Sequence, residues 1–343
     1  MTQTDLPHSS LLAKPLVRCA AAGLIIGLGA AGVYWLIERG GSAAASSAAV
    51  APVPPTRDVS KLDAVLNTIV TAKGDGEFGT AETILREAVK TYPGEPRLYI
   101  EYAETLAALK RPEEAYAMYE RAIASGEDTG EVHFAAGTVA STSGKLERAV
   151  EHFSAAQAKS PQDWKASLFL AQVQVRLDRF DEAKKNLLIA VQLKPDLGIA
   201  WGTLAELALR ENKTKMALQH VAKARELEPD VTLWRVIQGR ALVRDAKPEE
   251  ALLLLTGLSE VEQREPGVMQ LMSQAYGLLK RPLDAAALYV NAAKTDTARG
   301  DLAFEAAQWF ERAGETEKAR EWAERAKLLG DPNAAALLER LSK

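Results

Sequence analysis

Residues 164–197 read WKASLFLAQVQVRLDRFDEAKKNLLIAVQLKPDL, and residues 198–231 read GIAWGTLAELALRENKTKMALQHVAKARELEPDV. The two stretches carry the same kinds of residue at sites 34 residues apart: Ala171 and Ala205, Ala183 and Ala217, Ala190 and Ala224, Pro195 and Pro229. Self-similarity at a fixed period of this length indicates a repeat architecture, in which each copy is one supersecondary unit.

The same register runs through most of the chain. Counted from Leu62, blocks of 34 residues fill residues 62–333 in eight copies. Position 27 of each block is alanine except in the sixth, where it is Leu258, and position 8 is small except in the first, where it is Ile69. Position 20 is alanine in every block: Ala81, Ala115, Ala149, Ala183, Ala217, Ala251, Ala285 and Ala319.

Small residues at these spacings predict paired antiparallel helices. Two helices approach to the short end of the roughly 8–10 Å range only where small side chains meet. Gly144 and Gly314 fall where the chain must turn between the two helices. Prolines recur in one phase at the start of the second helix, where they cost least: Pro112, Pro248 and Pro282.

The period with its small, aromatic and proline positions resembles the tetratricopeptide repeat. The resemblance covers residues 62–333 and implies an all-α fold, a right-handed α-solenoid of eight helix-turn-helix repeats. In the sixth block Leu258 and Gln263 depart from the pattern, which predicts a loosely packed junction that divides the array into two lobes. Residues 334–343 predict an amphipathic helix that caps the last repeat through Leu337, Leu338 and Leu341.

The resemblance also implies a binding surface. Repeats of this family line a concave groove with their first helices and bind proteins or peptides there. Carried onto this sequence, positions 5 and 9 of the blocks give a groove that is apolar with some polar side chains, suited to an amphipathic helix or an extended peptide. The candidate contact residues are Ile100, Phe134, Leu168, Gln172, Glu206, Val236 and Arg240.

Position 13 carries a row of arginines: Arg176, Arg210, Arg244 and Arg312. Two interpretations stand. A ladder of guanidinium groups could hold an acidic peptide through bidentate hydrogen bonds. Alternatively, each arginine lies in the last turn of a helix, where a cation offsets the helix dipole, and Asp178, Glu211 and Asp245 offer local partners.

The N-terminal region predicts a membrane anchor. Residues 19–37, CAAAGLIIGLGAAGVYWLI, contain no charged side chain and as a helix span roughly 28 Å, close to the ~30 Å hydrocarbon core of a bilayer. Lys14 and Arg18 precede this apolar run. Their positive charges favour residues 1–18 in the cytoplasm and the repeats on the extracytoplasmic (periplasmic) side. Residues 38–61, rich in Ala, Ser and Pro, predict a flexible linker.

Three other features of this segment bear on its role. Gly27, Gly29 and Gly32 match a dinucleotide-binding spacing, but no strand-turn-helix unit surrounds them. Gly23 and Gly27 form a G-x-x-x-G spacing, which predicts a face for helix packing in the membrane. Small residues 43–45 leave cleavage as a signal peptide open as an alternative to a retained anchor.

The composition argues against several functional classes. A formal charge of −4 gives no basic footprint for nucleic acid, and the single cysteine, Cys19, excludes a disulfide framework within the chain. The four histidines show no paired metal-ligand spacing, and no phosphate-binding loop or G-x-S-x-G motif occurs. We therefore expect no enzyme, with no catalytic residues, no cofactor and no metal.

Two functions follow as hypotheses. The first is a membrane-tethered scaffold that presents its groove to a protein or peptide partner. The second is a chaperone-like or regulatory subunit of a membrane-embedded translocation or envelope-assembly machine, contacted in part through the anchor. The oligomeric state stays open, although a capping helix argues against end-to-end assembly of repeats.

Overall fold

Helices form all the regular structure in residues 59–342, the part of the chain that the computed structural model describes. The all-α prediction is confirmed for these residues. Predictions for the anchor at residues 19–37, for Gly23 and Gly27 and for residues 1–18 lie outside the described residues. None of the helices within 59–342 has both the length and the apolar character needed to cross a bilayer.

The chain divides into two units, and the boundary follows Leu193. The first unit contains helices α1 to α8. Their bounds are α1 Val59–Gly74, α2 Phe78–Thr91, α3 Pro96–Ala108, α4 Pro112–Ala124, α5 Gly130–Thr142, α6 Leu146–Lys159, α7 Trp164–Arg176 and α8 Phe180–Leu193. Residues 59–61 of the linker predicted at residues 38–61 belong to α1, and the rest of that predicted linker lies outside the described residues.

The second unit contains helices α9 to α18. Their bounds are α9 Gly198–Arg210, α10 Thr214–Leu227, α11 Thr232–Arg244, α12 Pro248–Thr256, α13 Glu260–Gln263, α14 Pro266–Leu278, α15 Pro282–Thr295, α16 Gly300–Arg312, α17 Thr316–Leu328 and α18 Ala334–Leu341. First helices from Pro96 to Gly300 and second helices from Phe78 to Thr316 begin 34 residues apart throughout. We number the repeats 1 to 8 from Leu62 and use the same position numbers below.

Every repeat turns between its helices in the same way. Position 15 has a positive φ in all eight, from Gly76 at 79° to Ala246 at 56°. The next residue donates its backbone N–H to the carbonyl of position 11, as Lys145 does to Ala140 at 2.9 Å. This is the Schellman arrangement, which satisfies carbonyls that the helix end leaves free. Five repeats adopt it without glycine: Lys110, Asp178, Asn212, Ala246 and Lys280.

The small residues lie where the two helices of each hairpin meet. All eight alanines at position 20 are 0% exposed. A Cβ added to Gly137 at position 8 would lie 2.9 Å from Phe153 Cδ1, so the aromatic ring already occupies the space that a side chain would need. The predicted close approach through small residues therefore holds in both units.

Repeat 6 departs from the pattern in length but not in packing. Its second helix, α12, has nine residues, and the short α13 follows it with a capping box between Ser259 and Glu262. Leu258 is 5% exposed and packs in one cluster with Leu255 and Met272. The prediction of a loose junction toward repeat 7 is wrong, because Leu258 packs with Met272 of that repeat. The division between units falls at Leu193 instead.

The last helix, α18, lies against repeat 8. Leu337 is 1% exposed within the core cluster of this repeat, and Leu338 and Leu341 pack against the same cluster. Arg340 extends outward and contacts Glu311 at 2.7 Å through two nitrogens. The apolar face of α18 thus covers the end of the core, while its charged face stays in water.

We expect the alanine at position 20 to tolerate no enlargement. Ala217→Leu should lower the free energy of unfolding by about 1–3 kcal/mol, because added methylenes in a packed core force side chains and backbone to shift. Ala222→Leu, at an exposed site of the same helix α10, should change it by less than about 0.5 kcal/mol. Urea unfolding followed by circular dichroism compares the two, and equal effects would contradict the packing argument.

Candidate protein-interaction surface

Position 5 of the first helices is largely used for packing between repeats. Leu168 is 5% exposed and offers almost no surface to a partner. The ring of Phe134 lies 5.1 Å from that of Phe169, centroid to centroid, and 5.5 Å from that of Phe153. The contact with Phe169 joins repeat 3 to repeat 4. Phe134 is half-buried, so only part of it faces solvent.

Three other residues at position 5 follow the same rule. Ile100 and Val236 are half-buried against core clusters of their own units. Gly202 is buried, and a Cβ placed on it would lie 2.1 Å from Trp234 Cζ3. Trp234 of the next repeat therefore fills this site. Among the candidates at position 5, the exposed edges of Ile100, Phe134 and Val236 remain as apolar surface for a partner.

Position 9 is more polar and more open. Arg240 Nη1 lies 2.8 Å from both carboxylate oxygens of Glu206, and this ion pair links repeats 5 and 6. The two side chains are 16% and 19% exposed, so they are neither core nor freely solvated. In the first unit Lys73 Nζ lies 2.5 Å from Glu104 and 2.6 Å from Glu101. Burial alone would lower the pKa of Lys73, but the two carboxylates raise it.

Gln172 is the remaining candidate at position 9. Its side chain is half-buried on α7, the helix that also carries Leu168 and Arg176. The structure thus places these three candidates on one helix of the first unit. In the second unit it brings Glu206, Arg240 and Arg244 into one electrostatic cluster, since the charges of the first two act on the pKa of the third. Each unit contains its own set of predicted contact residues.

The arginines at position 13 bind the helix of the preceding repeat. Arg176 Nη1 donates to the Ser141 carbonyl at 3.2 Å and to Ser141 Oγ at 2.9 Å. Arg244 Nη1 donates in the same way to the Leu209 carbonyl. Burial lowers the pKa of both guanidinium groups below the ordinary arginine value. The expected interaction with a helix C-terminus is present, but across the repeat boundary rather than within one helix.

The other two arginines of the row differ. Arg312 lies over the ring of Trp309, 4.4 Å from its centroid, in a cation–π contact. Arg210 is exposed on α9. The row is therefore not a uniform ladder, and at Arg176 and Arg244 the guanidinium already has acceptors from the protein.

A triple substitution separates the two interpretations of this row. Arg176→Gln, Arg210→Gln and Arg244→Gln together should destabilise the chain by about 1–2 kcal/mol for each lost cap at Arg176 and Arg244. If the row also holds an acidic partner, capture of that partner should weaken as well. Thermal unfolding and partner capture from native membranes are measured on the same variant. Unchanged capture beside a lower melting temperature would leave the arginines a capping device.

A second polar site, which sequence reasoning missed, lies on the seam between adjacent repeats. Between repeats 3 and 4, for example, positions 4 and 23 of one repeat meet position 28 of the repeat before it. In repeat 3 positions 4 and 23 are His133 and His152, whose Nδ1 atoms are 3.0 Å apart. The histidines lie 19 residues apart, and no linear motif reports them. Comparison of register positions along the repeats would have paired them.

The histidine pair belongs to a chain of hydrogen bonds. His133 Nε2 lies 2.8 Å from Asp128 Oδ1, and His152 Nε2 lies 3.1 Å from the Tyr116 hydroxyl and from Glu120 Oε1. With both rings neutral, Tyr116 donates to His152, which donates through Nδ1 to His133, which donates to Asp128. Burial lowers the pKa of His152, Glu120 opposes this, and His133 adds to the lowering.

We expect this seam to lose stability in mild acid. The pKa of His152 in the folded chain lies below its ordinary value of 6.5, so the unfolded chain takes up a proton first as the pH falls. Stability should therefore decrease progressively below about pH 6.5. Amide hydrogen exchange in α5 and α6 at pH 7.5 and 5.5 measures the loss of protection.

The control is a change that removes the titrating group. His152→Asn should abolish most of the pH dependence in α5 and α6, whereas His220→Asn in the second unit should leave it unchanged. Glu120, Glu151, Arg148, Asp128 and Tyr116 also face the pair, and both variants retain these groups. Equal pH dependence in the wild type and His152→Asn would refute the assignment.

The next seam, between repeats 3 and 4, is closed by neutral amides. Gln157 Nε2 donates to Ser167 Oγ at 2.8 Å and to Asn186 Oδ1 at 3.0 Å. Asn186 Nδ2 donates to Gln174 Oε1 at 2.9 Å, and Gln174 Nε2 donates to Glu182 at 3.1 Å. Ser167 and Gln174 are buried, and the network satisfies their polar atoms.

Residues 59–342 contain no group of three or more His, Cys, Asp or Glu placed to hold a metal ion.

The comparisons with known proteins agree with this architecture. Residues 72–136 and 140–207 match a tetratricopeptide-repeat family, and residues 207–325 match the N-terminal tetratricopeptide-repeat region of Psidin. The chain therefore belongs to the tetratricopeptide-repeat proteins, and the resemblance drawn from its sequence is confirmed. No curated protein matches it.

Several solved structures resemble the chain. PilF of Pseudomonas aeruginosa is 16% identical, with 63% of this chain and 98% of that chain covered and a TM-score of 0.52. YrrB, a tetratricopeptide-repeat protein with an unusual peptide-binding site, is 19% identical, with 52% and 92% covered and a TM-score of 0.48. A tetratricopeptide-repeat protein from Parabacteroides merdae is 15% identical, with 83% and 100% covered and a TM-score of 0.44. At these identities the likeness concerns the fold.

Proposed function

We propose that the protein is a non-catalytic scaffold that binds a protein or peptide partner on the first helices of its repeats. The observation that carries the proposal is the Glu206–Arg240 ion pair at position 9, half-buried and held across two repeats. Arg240 contacts both oxygens of Glu206, so the two side chains are ordered before a partner arrives. A surface that is already ordered loses little side-chain entropy on binding.

The partner that suits this surface combines polar and apolar side chains. Ile100, Phe134 and Val236 expose apolar edges beside the polar groups at position 9. An amphipathic helix or an extended peptide would place its apolar side chains on these edges and its polar ones on Gln172, Glu206 and Arg240. The groove itself and its right-handed course stay predictions from the family resemblance.

We also propose that residues 19–37 tether the scaffold to a membrane with the repeats on the extracytoplasmic side. The uncharged apolar run and the preceding Lys14 and Arg18 support this placement. Gly23 and Gly27 would form a packing face for another membrane helix. Carbonate extraction and protease protection of intact cells test the tether and its orientation.

The binding surface is tested by removing the ion pair as a unit. Glu206→Ala with Arg240→Ala should reduce partner capture about tenfold, equivalent to ~1.4 kcal/mol, without leaving one charge unpaired. Crosslinking in native membranes identifies the partner with the wild-type chain and then quantifies it with the variant. Lys223→Ala with Glu226→Ala removes an exposed ion pair from the second helix α10 and serves as the matched control.

A chain that lacks residues 1–37 distinguishes the scaffold from a subunit docked through its anchor. The scaffold should keep its partner after this truncation, because the repeats hold the contact surface. Loss of the partner on truncation, together with full capture by the Glu206 and Arg240 variant, would contradict the scaffold and favour the docked regulatory subunit.

A further inference from the structure

A cavity of about 390 Å³ opens on the seam between repeats 5 and 6, between helices α10, α11 and α12. This volume lies at the small end of the range of ligand pockets, roughly 300–1,000 Å³. The cavity lies wholly in the second unit. Its lining residues are Arg225, Arg235, Gln238, Leu242, Glu250, Leu253, Leu254 and Gly257.

The cavity occupies the place that hydrogen-bonded amides fill between repeats 3 and 4. Leu254 stands at the position of Asn186, and Leu242 at the position of Gln174, one repeat pair further along. Arg225 stands at the position of Gln157. The leucines offer no acceptor to the polar group that faces them, so the network that closes the earlier seam cannot form here.

The shortened helix α12 also leaves this seam open. It ends at Thr256, and Gly257 caps it at the register position that Ile189 holds in repeat 4. A residue without a side chain leaves this side of the cavity uncovered. Leu253 is 80% exposed, and Leu254 is half-buried beside it. One wall of the cavity is therefore apolar and accessible.

The lining also contains Arg225, whose guanidinium has one donor without a hydrogen-bond partner. Arg225 Nη1 donates to the Gln238 amide oxygen, but Arg225 Nε is buried and has no hydrogen-bond partner. It is the only buried side-chain nitrogen or oxygen in this condition within residues 59–342. A buried polar group without a partner destabilises the folded chain, and more so when it is charged. Arg225 is one of the lining residues, so an anion in the cavity would offset the charge of its guanidinium.

The remaining charges define the ligand. Arg235 supplies a second guanidinium. Hydrogen bonds from Thr232 and Ser259 lower the pKa of Glu262 to about 2, and the charge of Arg235 adds to this lowering. Glu250 lines the cavity and is exposed. A singly charged carboxylate suits two guanidinium groups beside one carboxylate. A doubly charged phosphate would exceed the single net positive charge that Arg225, Arg235 and Glu250 give the lining.

We infer that this cavity is a docking site for an acidic side chain of a partner protein, a glutamate or aspartate flanked by an aliphatic residue. The carboxylate would accept hydrogen bonds from Arg225 and Arg235, and the aliphatic neighbour would pack on Leu253 and Leu254. The inference rests on the proposed function, because the cavity adds a contact with the same partner, away from the candidate residues on the first helices.

A synthetic peptide library tests which side chains the cavity binds. Acetylated and amidated hexapeptides with each position drawn from Ala, Leu, Glu, Gln, Lys and phosphoserine are selected on the full-length chain in detergent. We expect enrichment of Glu next to Leu, with at least tenfold tighter binding than the matched Gln peptide by fluorescence polarisation. Arg225→Gln with Arg235→Gln should abolish that preference.

A second variant keeps the test independent of folding defects. Leu242→Gln with Leu254→Asn copies the closed seam of repeats 3 and 4, and it should remove binding of the Glu peptide while circular dichroism and the melting temperature stay near wild type. Equal binding of Glu and Gln peptides, enrichment that survives the arginine substitutions, preference for phosphoserine, or no enrichment would each overturn the inference. Partner capture that still depends on Glu206 and Arg240 would then leave the proposed function intact.

Discussion

The structure depends on one steric constraint, the contact of two helices through a small residue. At position 20 of each repeat an alanine with no exposed surface brings the second helix close to the first. At Gly137 and Gly202 the constraint is tighter still, since a neighbouring aromatic ring occupies the space of the missing side chain. Because every hairpin satisfies the same constraint, the helices begin at equal intervals along the chain.

Equal hairpins leave the seams between repeats as the places where the chain can vary. Positions 4, 23 and 28 carry a histidine pair at one seam, an amide network at the next and an open cavity with a guanidinium group at another. The small residues that set helix spacing lie at other positions, so the polarity of a seam differs between repeats that share the same hairpin. Polar and charged groups that vary between repeats therefore lie at the seams as well as on the first helices of the repeats.

Several charged side chains likewise make contacts between neighbouring repeats. Arg176 and Arg244 cap the first helix of the repeat before their own, and Glu206 and Arg240 pair across the same kind of boundary. Such contacts between repeats stabilise neighbours on which each hairpin depends, as expected for quasi-one-dimensional arrays. The groups that remain half-exposed after this use are the ones available to a partner.

The amino-acid sequence by itself determined the period, the helical class and the small residues at the hairpin contacts, because each follows from spacing along one chain. It did not determine what leucine at position 27 of repeat 6 would do, since only the packing of Leu255, Leu258 and Met272 shows the gap filled. Only the tertiary structure paired His133 with His152 and left Arg225 Nε without an acceptor. These features depend on side chains from different repeats meeting in space, and a linear pattern carries no record of which partner each side chain finds.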